Sequence, residues 1–372
     1  MSVQEQVRVA LAGRTSFLLR EHAADAAPAS TPVLLLHGVP ETSSCWRAVA
    51  PQLAVGRRVL APDLPGLGGS TFTGPFDTAT LVAELAALVE TEVPGGRVDV
   101  VGHDWGGSLA LGLAGARPDL VRRLVVANAP YREIPLLRAA HIPFFALPLA
   151  PELLFRLGGR KVVDAMLSLG WRSTVVLPAD SRAEYEAAYT DRESVGAMLG
   201  YYRAVARPRL LGGLRRSKSA GVTRVAAEQA LVLWGALDPV LPVSIGEGIV
   251  RDLGADCVMV TVPGAGHFII EEAPDVVAQV LLDFLADETT PAPDPVVAAP
   301  PHKPFEQGAP IEPGPIAEKT ASAAPRPVTK APAKKVPAKK APAKKAPAKK
   351  APVTAPTEPP TGQKAPPSST SP

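Results

Sequence analysis

Apolar and polar positions alternate near the start of the chain. Val7, Val9 and Leu11 share one parity, Gly13-Arg14 interrupts them, and Phe17-Leu18-Leu19 follows. This period-two pattern around a glycine-containing pair predicts a β-hairpin. The next apolar runs are short and unbroken: Val33-Leu34-Leu35-Leu36, Arg58-Val59-Leu60-Ala61, Val98–Val101 and Leu124-Val125-Val126. Runs of that length read as strands buried on both faces, as in a parallel sheet. Between them the period becomes helical, over Trp46–Leu53, Thr78–Glu92 (with Leu81, Leu85 and Leu88 on one face) and Trp105–Arg117. Strands that alternate with helices form βαβ units, and right-handed crossovers place helices on both faces of a mostly parallel sheet.

Near Tyr131 the alternation stops. Helical periodicity without buried strands covers Pro135–Leu157, Arg160–Leu169, Ser181–Tyr189 and Val195–Val205. The strand–helix rhythm then resumes with Leu231–Trp234, Val243–Leu253, Val258–Thr261 and Pro274–Ala286. The expected layout is a core in two parts, residues 1–130 and 225–288, interrupted by a helical lid over 131–224. Such a block lies over the C-terminal edge of the sheet, where open α/β folds bind ligands.

Composition changes the picture at the C-terminus. Proline concentrates after Thr289, aromatics become scarce, and from Lys334 a five-residue lysine-alanine-proline repeat runs to Lys350. A segment that cannot bury enough apolar surface to offset its ordering entropy is expected to be disordered, so 289–372 reads as an extended tail. It carries 13 lysines and arginines against five acidic residues, hence +8, which leaves −5 for the rest of a chain whose net charge is +3. A flexible polycation without aromatics binds nucleic acid or another polyanion through phosphate neutralisation, without reading sequence; a merely solubilising tail is the alternative.

Cys45 and Cys257 are too few for a disulfide framework and fit no metal spacing, so buried thiols in a reducing compartment are expected. The N-terminus lacks the basic start and apolar run of a signal peptide. No stretch has the apolar length of a membrane span, the nearest being Ile142–Leu157, which prolines interrupt. The expected location is cytoplasmic, with no metal and no cofactor.

The candidate chemistry lies in Val98-Asp99-Val100-Val101-Gly102-His103-Asp104-Trp105-Gly106-Gly107. A strand, then Gly-x-nucleophile-x-Gly, then a helix is a nucleophile elbow, with Asp104 where serine commonly stands. The turn is tight enough that flanking residues must be small, and the following N–H, that of Trp105, faces the reaction centre. Asp104 admits a plainer reading as a helix N-cap. Three further elements weigh against it. His37-Gly38-Val39-Pro40 follows an early strand and offers the Val39 N–H as a second oxyanion donor; Asp238 follows a late strand; Gly266-His267 follows the last one. Nucleophile, acid and histidine stand in the chain order of the serine elbow hydrolases. A carboxylate is a poor acyl nucleophile but displaces a leaving group at saturated carbon, giving an alkyl ester that a histidine-activated water then cleaves.

On these residues, Val7 to about Ala286 resembles the α/β-hydrolase-fold epoxide hydrolases, close relatives of the haloalkane dehalogenases. The resemblance implies an epoxide or alkyl halide substrate. An epoxide oxygen departs as an alkoxide and needs a proton donor, which that family supplies from lid tyrosines. Leu199-Gly200-Tyr201-Tyr202-Arg203 resembles one such motif, making Tyr202 the ring-opening acid, with a core-facing aromatic as the alternative. Counting back from Pro148 puts His141 at the place of the second lid tyrosine, as a further proton donor. Haloacid-type enzymes carry arginines where Trp105 and Ser108 stand here, and haloalkane enzymes often carry asparagine where Val39 stands, so the epoxide reading leads. His103 is expected to be a buried supporting group, Asp63 a structural turn residue, and the arginine-rich Arg203–Arg224 a solvated face.

Overall fold

The computed structural model describes residues 3–24, 30–132, 141–211 and 227–286, with only the backbone for 207–211. The lysine-rich tail and most of the arginine-rich segment lie outside these residues.

Eight strands form one sheet: β1 (Val3–Ala12), β2 (Thr15–Ala24), β3 (Val33–Leu36), β4 (Val59–Pro62), β5 (Val98–His103), β6 (Val121–Ala127), β7 (Gln229–Gly235) and β8 (Cys257–Val262). Their order is β1-β2-β4-β3-β5-β6-β7-β8. The β1–β2 and β2–β4 pairs are antiparallel and the remainder parallel. Every residue of β3, β4 and β5 is buried, as strands covered on both faces must be. The predicted hairpin turns at Gly13, whose φ of 56° suits a residue without a Cβ. The buried Glu84 carboxylate accepts from the Arg14 N–H at 2.6 Å and the Thr15 hydroxyl at 2.9 Å, tying that turn to a helix.

The core helices are α1 (Ala50–Leu53), α2 (Thr78–Glu92) and α3 (Trp105–Ala116) in the first part. Five more follow β6: α4 (His141–Phe145), α5 (Ala150–Gly158), α6 (Arg160–Gly170), α7 (Ala179–Ala188) and α8 (Arg192–Leu211). After β7 come α9 (Val243–Leu253), α10 (Ile269–Glu272) and α11 (Pro274–Leu285). Helices α2 and α3 pack together, α1 packs with α11, and α9 covers β7 and β8.

The helix expected over Trp46–Leu53 is two pieces, a 3₁₀ turn at Ser43–Trp46 and α1, because Pro51 falls in the first turn of α1 and a proline starts a helix better than it continues one. The single helix expected over Pro135–Leu157 is also divided. Residues 133–140 are outside the described set; α4 and α5 are separated by Pro148 and by Leu149 at φ 65°, a left-handed conformation no helix can contain. Short α10, only four residues, has no periodicity by which the sequence could mark it. Both cysteines are buried and unpaired. Among the described residues no helix is long and apolar enough to cross a membrane.

Candidate active site

Strands β3 and β5 are neighbours, and the chain leaves them towards opposite sides of the sheet. The crevice beyond their C-terminal ends is the topological switch point at which open α/β sheets hold ligands. Asp104 follows β5 there and Val39 follows β3.

Asp104 sits at φ 48°, ψ −119°, a strained backbone that persists only where its surroundings over-determine it. The surroundings are backbone atoms at close range. The Gly106 N–H donates to the His37 carbonyl at 3.1 Å, and a Cβ on Gly106 would meet the Leu36 carbonyl oxygen at 2.4 Å. The Asp104 side chain makes no capping hydrogen bond to α3, so the N-cap reading does not describe it. Its Oδ2 accepts instead from the Val39 N–H at 3.0 Å, leaving Oδ1 3.9 Å from His267 Nε2. Of the two N–H groups expected to serve an oxyanion, that of Val39 is the one seen donating to Asp104; Trp105 contributes its ring, edge-on to Tyr202 at 5.2 Å between centroids.

His267 and Asp238 come together. His267 Nδ1 donates to Asp238 Oδ2 at 2.9 Å, which turns Nε2 towards Asp104. Asp238 is held in turn: Oδ1 accepts from the Val240 and Leu241 N–H groups at 2.7 and 2.8 Å, and Oδ2 from Asn128 Nδ2 at 2.6 Å. Burial would suppress the charge on His267, but the carboxylates of Asp238, Asp104 and Glu41 outweigh it and raise the imidazole to about 9. Burial likewise opposes the charge on Asp238, and His267 with the Asn128 and Leu241 donors holds its pKa down.

His103 is fully buried, as expected, and has a defined task. Its Nδ1 donates to Glu41 Oε2 and its Nε2 to the His267 carbonyl, both at 2.8 Å. Two acceptor partners require both ring nitrogens to carry protons. Burial opposes that charge, but the Glu41 carboxylate overcomes it and raises the His103 pKa, while His103 lowers that of Glu41. His37 braces the neighbouring loop, with Nε2 accepting from the Leu64 N–H at 2.9 Å. Asp63 binds the N–H groups of Ser43 and Gly69, each at 2.7 Å, in the structural role expected for it.

Helix α4 contributes His141 and α8 contributes Tyr202. Tyr202 is 4 % exposed, with Trp105, Phe145 and His141 around its ring at 5.2, 5.0 and 5.9 Å. Burial, with the nearby Asp104 charge, raises its pKa well above that of free tyrosine. His141 is also near enough to feel Asp104, but burial dominates and lowers its pKa, favouring the neutral ring. Arg203 departs from the expected solvated face: it is mostly buried and donates to the Leu147 carbonyl and to Glu152, both at 2.7 Å, bracing α8 against α5.

Glu41, Asn128 and Glu272, whose carboxylate accepts from the Gly266 and Phe268 N–H groups on either side of His267, carry no mark in the sequence patterns used above. Asn128 lies one residue past β6, and a polar residue at a strand's C-terminal end is a signal that could have been used. The other two follow the singled-out motifs by a few residues, but no spacing marks them.

The α/β hydrolase family model matches residues 33–280. Over 270 residues the chain is 28 % identical to the AB hydrolase superfamily protein YfhM of Bacillus subtilis, covering 69 % of this chain and 90 % of that one. It is 28 % identical over 277 residues to epoxide hydrolase 3 of Xenopus tropicalis, covering 69 % and 71 %. Among solved structures, epoxide hydrolase A of Mycobacterium thermoresistibile aligns with a TM-score of 0.62 at 25 % identity, over 76 % of this chain and 98 % of that one. Fold, strand-end residues and family match agree: the chain belongs to the alpha/beta hydrolase family.

Proposed function

We propose that the protein is an epoxide hydrolase that converts an epoxide and water to a vicinal diol in two steps. The observation that carries this reading is the aspartate at the elbow, with one carboxylate oxygen on a backbone N–H and the other facing a histidine that a second aspartate orients. Asp104 Oδ1 attacks a ring carbon, the carbon–oxygen bond of the ring breaks, and the departing oxygen takes the Tyr202 hydroxyl proton, with His141 as a second donor. Tyr202 suits that task because burial keeps it protonated. Helices α4–α8 act as a lid that brings both donors over Asp104.

The product is an alkyl ester on a now neutral Asp104. His267 removes a proton from water, the hydroxide attacks Asp104 Cγ, and Oδ2 carries the oxyanion at the Val39 N–H, with the Trp105 N–H as its second donor. Collapse breaks the Cγ–Oδ1 bond, the departing alkoxide takes the proton of the added hydroxyl, and the proton held by His267 returns to the Tyr202 phenolate, which frees the diol and restores the Asp104 carboxylate. The similarity to a relative and to a solved structure that are named as epoxide hydrolases supports this reading.

The test is single-turnover mass spectrometry with styrene oxide and with 1-bromobutane. Wild-type protein should form a transient adduct on Asp104, His267→Gln should retain it, and Asp104→Asn should form none. An adduct from 1-bromobutane but not from styrene oxide would favour the alternative, a haloalkane dehalogenase. Turnover of simple carboxylic esters without any Asp104 adduct would discard both. A second reading, carried by the repeat from Lys334 to Lys350, is that the tail binds nucleic acid or another polyanion while the catalytic part works independently.

A further inference from the structure

His267 is held by more than the sheet core. Its N–H donates to the carbonyl of Gly170, the last residue of α6, at 2.9 Å. On the next residues of α6's trailing loop, the N–H groups of Arg172 and Ser173 both donate to Glu272 Oε2 at 2.7 Å. The same carboxylate takes the N–H groups on either side of His267: Gly266 at 3.0 Å to Oε2 and Phe268 at 3.1 Å to Oε1. Glu272 is 3 % exposed, so these four bonds form away from water. The two loops also touch directly. A Cβ on Gly266 would sit 2.3 Å from the Gly170 oxygen, and one on Gly170 would sit 3.0 Å from His267 Cβ.

We infer that Glu272 is a positioning residue for the hydrolytic half-reaction, fastening the His267 loop to the helical insertion; this rests on the two-step reading above. A carboxylate accepts at both oxygens and donates nothing, so one side chain gathers four donors from two loops. All four donors are backbone N–H groups, so no change of side chain at 172, 173, 266 or 268 replaces what residue 272 does, and charge-assisted bonds of this kind are stronger than neutral ones. Glutamine has one acceptor oxygen and an NH₂ group that would face a donor. The part of the reaction that depends on the His267 ring position is water activation; ring opening by Asp104 and Tyr202 does not require it.

The test separates the half-reactions by single-turnover kinetics in Glu272→Ala, Glu272→Gln and Tyr185→Phe. Tyr185 donates its hydroxyl to Glu271, so its loss removes another bond between insertion and core while leaving the Glu272 cluster whole. In Glu272→Ala, hydrolysis of the adduct should slow ~10–100-fold, as small misplacements of a reacting group do, with adduct formation within about twofold of wild type. Glu272→Gln should fall between the two, and the pH midpoint of hydrolysis should drop as the Asp238 pairing loosens. Tyr185→Phe should hydrolyse within about twofold of wild type. Equal slowing of both half-reactions, no slowing at all, or equal slowing in Tyr185→Phe would overturn the assignment. Amide hydrogen exchange decides the link without any chemistry: Glu272→Ala should raise exchange at 172–173 and 266–268 together, and a change confined to one loop refutes it. Failure of the two-step reading itself shows separately, as absence of an Asp104 adduct in His267→Gln.

Discussion

Tyr201 and Tyr202 are adjacent in sequence, yet their hydroxyls have different surroundings. Tyr201 donates to the Pro65 carbonyl at 2.9 Å, a structural bond, while Tyr202 lies among Trp105, Phe145 and His141 and feels the Asp104 charge. If Tyr202 protonates the epoxide oxygen, Tyr202→Phe should lower the rate of adduct formation from styrene oxide ~100-fold, within the ordinary range for a lost general acid. Any reaction with 1-bromobutane, whose leaving group needs no proton, should change much less; equal losses on the two substrates would remove Tyr202 from that role. The same scale fixes a pH dependence. If His267 is the base that activates water it must be neutral, and it stands at about 9 because Asp238, Asp104 and Glu41 together outweigh burial. Adduct hydrolysis should therefore speed up as pH rises. Esterification removes the Asp104 charge and one of the causes of the raised value, so the midpoint of that rise should fall below about 9. A hydrolysis rate that declines with rising pH over the same range would contradict this role for His267.

At the scale of elements, the elbow works because β5 and α3 approach too closely for side chains. Gly102 is the clearest case: a Cβ there would lie 2.3 Å from the Gly106 carbonyl oxygen. Overpacking against backbone, which cannot rotate away, belongs at or above the upper end of the usual ~1–3 kcal/mol. Gly102→Ala should lower the melting temperature by at least ~6 °C, given ~2–4 °C per kcal/mol for a domain of this size. The Asp104 adduct should be lost along with it. A variant with unchanged melting temperature and full adduct formation would mean that the strained turn is not what presents Asp104. Element boundaries were legible where one rule dominated. Thr78–Glu92 and Val243–Leu253 form over the predicted residues because an uninterrupted apolar stripe defines them. The boundaries differ from the periodicity at Pro51 and Pro151, each in the first turn of a helix that begins in the middle of an apolar run.

At the scale of the whole chain, an acidic body is joined to a basic C-terminal segment. If the segment binds polyanions by releasing counterions, retention of the full chain on double-stranded DNA should weaken steeply with salt, the logarithm of affinity falling ~0.9 per phosphate neutralised. A chain ending at Ala286 should lose this retention and keep its rate of styrene oxide turnover. Retention that survives truncation, or that is insensitive to salt, would assign the binding elsewhere.

The local pattern alone determined the alternation of strands and helices, the insertion between β6 and β7, and the order of Asp104, Asp238 and His267 at strand ends. These follow from short-range causes: side-chain periodicity reports which faces are buried, and a turn too tight for a Cβ demands glycine. Tertiary structure decided what no local pattern encodes. Glu41 meets His103 across 62 residues, Asn128 meets Asp238 across 110, and Glu272 joins its own loop to Arg172 across 100. A buried polar group must find a partner, but folding alone settles which one, because the choice depends on where the sheet order and the insertion bring distant backbone into reach.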